Sequence, residues 1–275
     1  MAITAADVNK LRQMTGAGMM DCKKALTEAD GDFDKAIEII RKSGQAVANK
    51  RADRETTEGC VLAKISADGK YGALVALCCE TDFVAKNESF VKLTTSILDA
   101  AIAGKPATKE ELLQLKLADG TVSEVVTAQV GVIGEKLEIG AYEFLSAEAV
   151  TAYIHPGNKL ATLVGLNQAG IDAQVGKDVA MQVAAMAPVA LNADSVPQSK
   201  IDQELDIARE LARNEGKPEN MLDKIAQGRL AKFFKESTLL EQEFVKDNKK
   251  SIKQYLDGVS KGLTATGFKR FTLNQ

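Results

Sequence analysis

Two short apolar runs constrain this chain more than any other feature. Leu74-Val-Ala-Leu77 returns as Leu163-Val-Gly-Leu166 roughly 90 residues later, and partial self-similarity on that scale implies two related structural units. The first run lies in a stretch, residues 59 to 104, that reads as strand, turn at Asp68-Gly69, strand, loop and helix. Asp-Gly between apolar runs is a strong hairpin signal. Phe90, Leu93, Ile97 and Ala101 recur at helical spacing and form the buried stripe of that helix. The second run closes a similar segment: Val150 to Leu166 reads as strand, turn at Pro156-Gly157 and strand, and Val179 to Ala190 as helix. Val122 to Val132 reads as a further helix, Leu137 to Phe144 as a strand. Phe268-Lys-Arg-Phe-Thr272 alternates and is placed as the strand that closes the second unit.

Both ends and one insertion are helical. Residues 1 to 43 read as three short helices, the first capped by Thr4 with Asp7 three residues on. Thr15-Gly16-Ala17-Gly18 and Asp30-Gly31 break them, and Gly44 suits a C-terminal cap for the third. Lys50 to Glu58 reads as a polar linker or an exposed helical extension. Residues 199 to 235 read as a helical hairpin turned at Gly216-Lys217-Pro218, with Ile201, Leu205, Ala208 and Ala212 answering Met221, Leu222, Ile225 and Leu230. The expected fold class is therefore α+β. The units are 1–55 (three helices and linker), 56–145 (first core unit), 146–196 with 232–275 (second core unit) and 197–231 (inserted hairpin).

Composition excludes several functions. A net charge of -3 argues against a general nucleic-acid binder, which needs a basic face to displace counterions. Aromatic residues make up 5% with no Trp, which leaves little for base stacking. There is one His, and the four Cys (22, 60, 78, 79) lack zinc-site spacing, so no metal and no cofactor is expected. Asp30, Asp32 and Asp34 resemble a calcium loop only superficially, because its Gly and its distant Glu are misplaced, and they read as helix capping and a solvated turn. No N-terminal signal core and no run of about 18 apolar residues is present. The expectation is a cytoplasmic protein with reduced, buried thiols and no membrane contact. Gly16-x-Gly18 lies between helices and lacks the Gly-Lys-Ser/Thr ending of a phosphate loop, so turn chemistry explains it.

The most informative segment is Leu77-Cys-Cys-Glu-Thr-Asp-Phe-Val-Ala-Lys86. A buried strand breaks into Glu80-Thr81-Asp82-Phe83, which places an aromatic beside a carboxylate on a loop at a strand end. The residues alone leave two readings of Phe83 open: packing under its own loop, or presentation to a partner. Met19 and Met20 open the second helix, where one of two adjacent residues is expected to be exposed, and exposed Met is an adaptable contact residue. Filling the small core is the alternative for both. His155 stands in a turn with Pro156 and Gly157, without the acid and nucleophile that a triad would need.

Taken together, Leu11-Arg-Gln-Met-Thr-Gly-Ala-Gly-Met-Met-Asp-Cys-Lys-Lys-Ala-Leu26 and Thr81-Asp-Phe-Val-Ala-Lys86 resemble the two signature segments of the bacterial translation elongation factor Ts family. The similarity runs along nearly the whole chain. The resemblance implies a guanine nucleotide exchange factor for elongation factor Tu, without covalent chemistry, binding Tu in its GDP-bound and nucleotide-free forms. It implies an N-terminal three-helix domain like the ubiquitin-associated class, two core subdomains, and a coiled-coil arm that in some members dimerises, to a homodimer or heterotetramer. Thr81, Asp82, Phe83 and Val84 would carry exchange, with the Phe ring wedging between helices of the G domain of Tu near its magnesium and phosphate site. Leu11, Met19 and Met20 would touch the same G domain, and His155 domain 3 of Tu.

Two departures from the family pattern stand out. Many members have Glu-x-Asn before the Thr-Asp-Phe segment, where this chain has Ala76 and Cys78. Some carry a further C-terminal helix, whereas this chain ends at Gln275, soon after the closing strand. The rival readings are a small-molecule α+β enzyme, which one His and scattered carboxylates support poorly, an adaptor for ubiquitin-like proteins, and a coiled-coil dimeriser.

Overall fold

In a computed structural model, which describes residues 3–273, the chain opens with α1 (Ala5–Thr15), α2 (Met19–Glu28) and α3 (Phe33–Lys50). Next come the hairpin of β1 (Glu58–Ile65) and β2 (Tyr71–Cys79), the one-turn helix α4 (Asp82–Ala85), and α5 (Glu88–Gly104). The helix α6 (Lys109–Gln114), the short strands β3 (Lys116–Leu117) and β4 (Gly120–Thr121), α7 (Val122–Ile133) and β5 (Glu138–Ser146) complete the first half. Then follow β6 (Ala149–Ile154), β7 (Leu160–Leu166), α8 (Ala173–Met186) and the two long helices α9 (Gln198–Asn214) and α10 (Leu222–Ser237). The chain closes with β8 (Glu243–Phe244), β9 (Asp247–Ser251), α11 (Ile252–Val259) and β10 (Ala265–Thr272).

Two three-stranded antiparallel sheets, ordered β1-β2-β5 and β10-β7-β6, form the centre. They stack face to face. Side chains alternate across a strand, so Val61, Ala63, Leu74, Ala76 and Cys78 of the first sheet meet Val150, Ala161 and Leu163 of the second in one shared core. The alternate residues point outwards under helices. Cys60, Leu62, Ala73, Val75, Leu77 and Cys79 pack with Phe90, Ile97 and Ala101 of α5 and Val122, Val126 and Val130 of α7. Val164 and Leu166 pack with Val175, Val179 and Val183 of α8 and with Ile252 and Leu256 of α11. Burial on both faces explains why every residue of β2 is buried. The two apolar runs of the repeat occupy matching places: Leu74 and Leu163 face the shared core, while Val75 and Leu77, like Val164 and Leu166, face their own helices.

The N-terminal helices start where their caps dictate. Asp7 N donates to Thr4 Oγ1 (3.2 Å) and Thr4 N donates back to Asp7 Oδ2 (3.0 Å). Asp32 caps α3 through Asp34 N (3.0 Å) and Lys35 N (3.1 Å), which fits the capping role read for that acidic turn. Gly44, expected to end the third helix, lies buried inside it, and α3 runs on to Lys50. The reason is a helix crossing. A Cβ on Gly131 of α7 would stand 2.6 Å from Gly44 Cα, so the two backbones approach too closely for side chains. Gly44 thus serves close packing instead of chain reversal. The helix expected over Val179 to Ala190 begins earlier, at an Asp172 cap that accepts from Gln174 N (2.8 Å), and stops at Met186, where Ala187 takes a left-handed φ of 42°.

The paired helices α9 and α10 leave and rejoin the body at one place. Val189 N donates to Ser237 O and Leu239 N to Ala190 O, each at 2.9 Å. Ala208 and Ala212 pack towards Leu222, Ala226 and Leu230, and ion pairs Arg209–Asp223 (2.8 Å) and Arg229–Glu215 (2.7 Å) cross between the helices. Among the described residues, no helix is long and apolar enough to cross a membrane.

The Gly44–Gly131 crossing is one of the contacts that tie the first three helices to the rest, and it is testable. Gly131→Val is expected to destabilise by about 1–3 kcal/mol through overpacking, read as a lower urea midpoint. Gly258→Ala is the control: a Cβ there meets nothing within 4 Å, and removing a helical Gly is expected to be neutral or stabilising by up to about 1 kcal/mol. Equal midpoints for Gly131→Val and the parent would show that the crossing is not held by backbone contact.

Candidate partner-binding site

The strand β2 ends at Cys79, and the chain turns at once into α4. Phe83 therefore sits on a single helical turn, where the sequence suggested a loop. Thr81 is the N-cap and Asn87, which accepts from Ser89 N (2.9 Å), caps the following α5. Two caps so close together fold the intervening residues into one turn. Val84 and Ala85 lean into the first unit's core. Phe83 points the other way and is 85% exposed. Of the two readings open at the sequence level, packing under its own loop is thus excluded. Keeping a Phe ring in water forgoes about 1.5–3 kcal/mol of burial, and nothing in the fold requires it there.

The turn is held by a crossed set of hydrogen bonds from a distant segment. Helix α7 ends at Gly134, whose left-handed φ of 79° turns the chain so that Glu135 and Lys136 face the end of β2. Glu135 Oε2 accepts from Glu80 N (3.1 Å) and Thr81 N (3.0 Å), and its Oε1 accepts from Thr81 Oγ1 (2.6 Å). In return, Glu80 Oε1 accepts from Lys136 N (2.6 Å). The Glu80 carboxylate also takes Arg51 Nη1 at 2.8 and 3.1 Å. Arg51 is the C-cap of α3, so the first three helices are tied to the root of the Phe83 turn. Cys79 Sγ donates to Thr81 O (3.2 Å).

Electrostatics follow from these contacts. The Lys136 amide, then Arg51, hold the Glu80 carboxyl below its ordinary value of 4.5. Asp82, beside Phe83, is held low chiefly by Lys86, whose Nζ lies 2.6 Å away, with a smaller effect from Lys159. Burial pushes the Cys78 thiol up to about 11 and Cys79 to about 12, the latter helped by the charge of Glu135, so both stay protonated. Among the described residues, no group of three His, Cys, Asp or Glu could hold a metal ion.

The other predicted residues divide. Thr81, Asp82, Phe83 and Val84 share the turn. His155 is exposed, with Nδ1 3.0 Å from the Tyr153 hydroxyl. Its turn docks on the start of β1: Val61 N donates to Asn158 O (2.7 Å) and Lys159 Nζ to Glu58 Oε1 (3.1 Å). Since Glu58 pairs with Cys79, the His155 turn and the Phe83 turn lie at the same end of the stacked sheets. Met19 and Met20 are both exposed, 50% and 64%, more than the one of two expected. Leu11 requires a correction. It is wholly buried among Val8, Cys22, Leu26 and Ala36, because α1 turns that face towards α2 and α3. It shapes the surface bearing the two Met residues without lying on it. Ala76 and Cys78, which replace the Glu and Asn common in the resembled family, face the shared core between the sheets, away from the turn.

The sequence marks Glu80 only as part of the segment that bears Phe83 and gives no role to Glu135, Lys136 or Arg51. Glu135 is 54 residues from Thr81 in the chain, and Gly-Glu-Lys after a helix reads as an ordinary polar turn.

Glu80 contributes to stability in a pH-dependent way. Its folded pKa is lowered, so its stabilisation is present above the unfolded carboxylate value and is lost as pH falls through the folded one. Glu80→Gln is expected to cost about 1 kcal/mol at neutral pH, with the difference from the parent shrinking in acid-unfolding curves as pH falls below the ordinary carboxylate value of 4.5 and through the lowered folded one. A constant difference across that range would refute the assignment. Phe83→Ala, by contrast, is expected to leave the thermal midpoint unchanged, within about 0.5 kcal/mol.

Comparison with known proteins bears on this geometry. The family model described as elongation factor TS matches residues 80–275. The chain is 61% identical over 275 residues to an elongation factor Ts of Porphyromonas gingivalis, covering 100% of this chain and 99% of that one. It is 59% identical over 272 residues to one of Amoebophilus asiaticus, covering 98% of each chain. It is 56% identical over 275 residues to one of Cytophaga hutchinsonii, covering 99% of each. A family model spanning most of the chain, with relatives this similar along their whole length, places it: the chain belongs to the elongation factor Ts family.

Proposed function

We propose that this protein binds elongation factor Tu carrying GDP, distorts its magnesium and phosphate site, and so releases GDP for GTP to replace it. Membership of the family implies nucleotide exchange on Tu in translation elongation. The observation that carries the finer reading is Phe83, 85% exposed on a turn that the rest of the molecule braces. The physical logic is linkage. A wedge that stabilises a distorted nucleotide site must weaken nucleotide binding by the same coupling energy. Each 1.4 kcal/mol of coupling is about tenfold in affinity. Burying one Phe ring on binding contributes about 1.5–3 kcal/mol, which can offset part of the distortion. The chain needs no covalent chemistry for this and acts in the cytoplasm.

Further contacts are assigned on the same reading. Met19 and Met20 form an adaptable apolar patch on the three-helix unit, read as a domain like the ubiquitin-associated class. Asp82 adds a polar contact beside Phe83, and His155 another from the turn at the same end of the sheets. The α9–α10 arm is read as a coiled-coil dimerisation element, because Ile207 and Leu211, one helical turn apart, stand 42% and 50% exposed on it.

The test is release of fluorescent GDP from purified Tu. The parent protein is expected to accelerate release strongly. Phe83→Ala is expected to reduce the maximal acceleration about ten- to hundredfold, the range that 1.5–3 kcal/mol corresponds to. No acceleration by the parent would end the exchange reading. Full activity in Phe83→Ala would end the wedge assignment while leaving exchange standing.

A further inference from the structure

We propose that Glu135 is a positioning residue for nucleotide exchange: it acts through Phe83 by fixing the turn from which the ring projects. This inference rests on the exchange function proposed above.

The argument starts from what holds Phe83 in place. Its ring is 85% exposed, so no side-chain packing sets its position. The position is set by the backbone of α4, and α4 has four residues. A helix that short has no stability of its own, since nucleation costs more than one turn returns. Its own cap bond is long, at 3.5 Å from Val84 N to Thr81 Oγ1. From outside, Glu135 supplies three acceptor contacts to two consecutive residues at the entry to the turn: Glu80 N, Thr81 N and Thr81 Oγ1, at 3.1, 3.0 and 2.6 Å. Those contacts fix the direction in which the chain leaves β2. Because Glu80 reaches back to Lys136 N at 2.6 Å, the two segments grip each other in both directions. The Arg51 contact to Glu80 extends the grip to α3.

A wedge works only if its base yields less than its target. Binding energy spent on bending the turn backwards is not available to distort the nucleotide site of the partner. Removing Glu135 leaves two backbone N–H groups without their acceptor and lets α4 pivot. The exposed surfaces that meet the partner are left as they were. The expected signature is therefore a loss in the maximal rate of exchange without a matching loss in binding.

The experiment measures fluorescent GDP release from Tu across a range of concentrations of the full-length protein. Glu135→Ala is expected to lower the maximal rate about tenfold while the half-saturating concentration stays within about twofold. Glu135→Gln is expected to recover most of the rate, because its amide oxygen still accepts from both N–H groups and its NH2 can donate to Thr81 Oγ1. Thr81→Val removes the hydroxyl at nearly constant volume and is expected to fall between the two, which covers the case in which Glu135→Ala folds poorly. The deciding measurement is a cycle with Phe83→Ala. In that background Glu135→Ala is expected to lower the rate less than twofold further. Independent, multiplying effects would overturn the proposal, as would a loss that merely follows the folded fraction read by circular dichroism. Parental activity in Phe83→Ala would overturn it by removing the wedge itself, an outcome that Phe83→Ala reveals without any Glu135 variant.

Discussion

The face-to-face packing of two small sheets is the interaction on which the rest of this molecule depends. A three-stranded sheet cannot bury enough surface by itself. Here Leu74, Ala76 and Cys78 meet Val150, Ala161 and Leu163, and each sheet gains a dry inner face while its helices cover the outer one. The consequence for function is positional. The stacked strands end together, so the Phe83 turn after β2 and the His155 turn before β7 emerge at one end, joined by Val61 N to Asn158 O and by Lys159 to Glu58.

On that scaffold the site spends stability to gain reach. An aromatic left in water and two exposed Met residues are unfavourable for an isolated chain. They are offset by polar bonds that cost little at the surface and are strong where charge assists them. The Glu80–Glu135 exchange, with Arg51 behind it, is half-buried and multiply hydrogen-bonded, unlike the solvent-exposed pair Lys86–Asp82 beside it. Rigidity at the root and exposure at the tip are the complementary demands that the proposed wedge would place on this surface.

Much of this was legible in the residues. The hairpin turn at Asp68-Gly69, the strand over Phe268 to Thr272 and the caps at Thr4 and Asp32 follow local rules that side chains obey within a few residues. The Thr-Asp-Phe segment stood out because a buried strand breaks there into a turn that sets an aromatic beside a carboxylate, and because it resembles a signature segment of the family. Gly44 was misread for a physical reason: a glycine that permits a close crossing and a glycine that ends a helix look alike until the crossing partner is known. Leu11, placed on the contact surface by the resemblance, is instead covered by α2 and α3, because α1 turns that side towards them.

The sequence by itself determined most of the longer elements and their order, the likeness of two apolar runs about 90 residues apart, and the identity of the segment bearing Phe83. These depend on periodicity, capping and turn chemistry, all short-range. Only the tertiary structure decided whether Phe83 is covered, that both Met19 and Met20 are open, and that Glu135 braces a turn 54 residues away. Such contacts link residues with no fixed separation along the chain. They arise from the stacking of sheets and the crossing of α3 with α7, where geometry is set by the sum of many weak packing terms and no local pattern records the outcome.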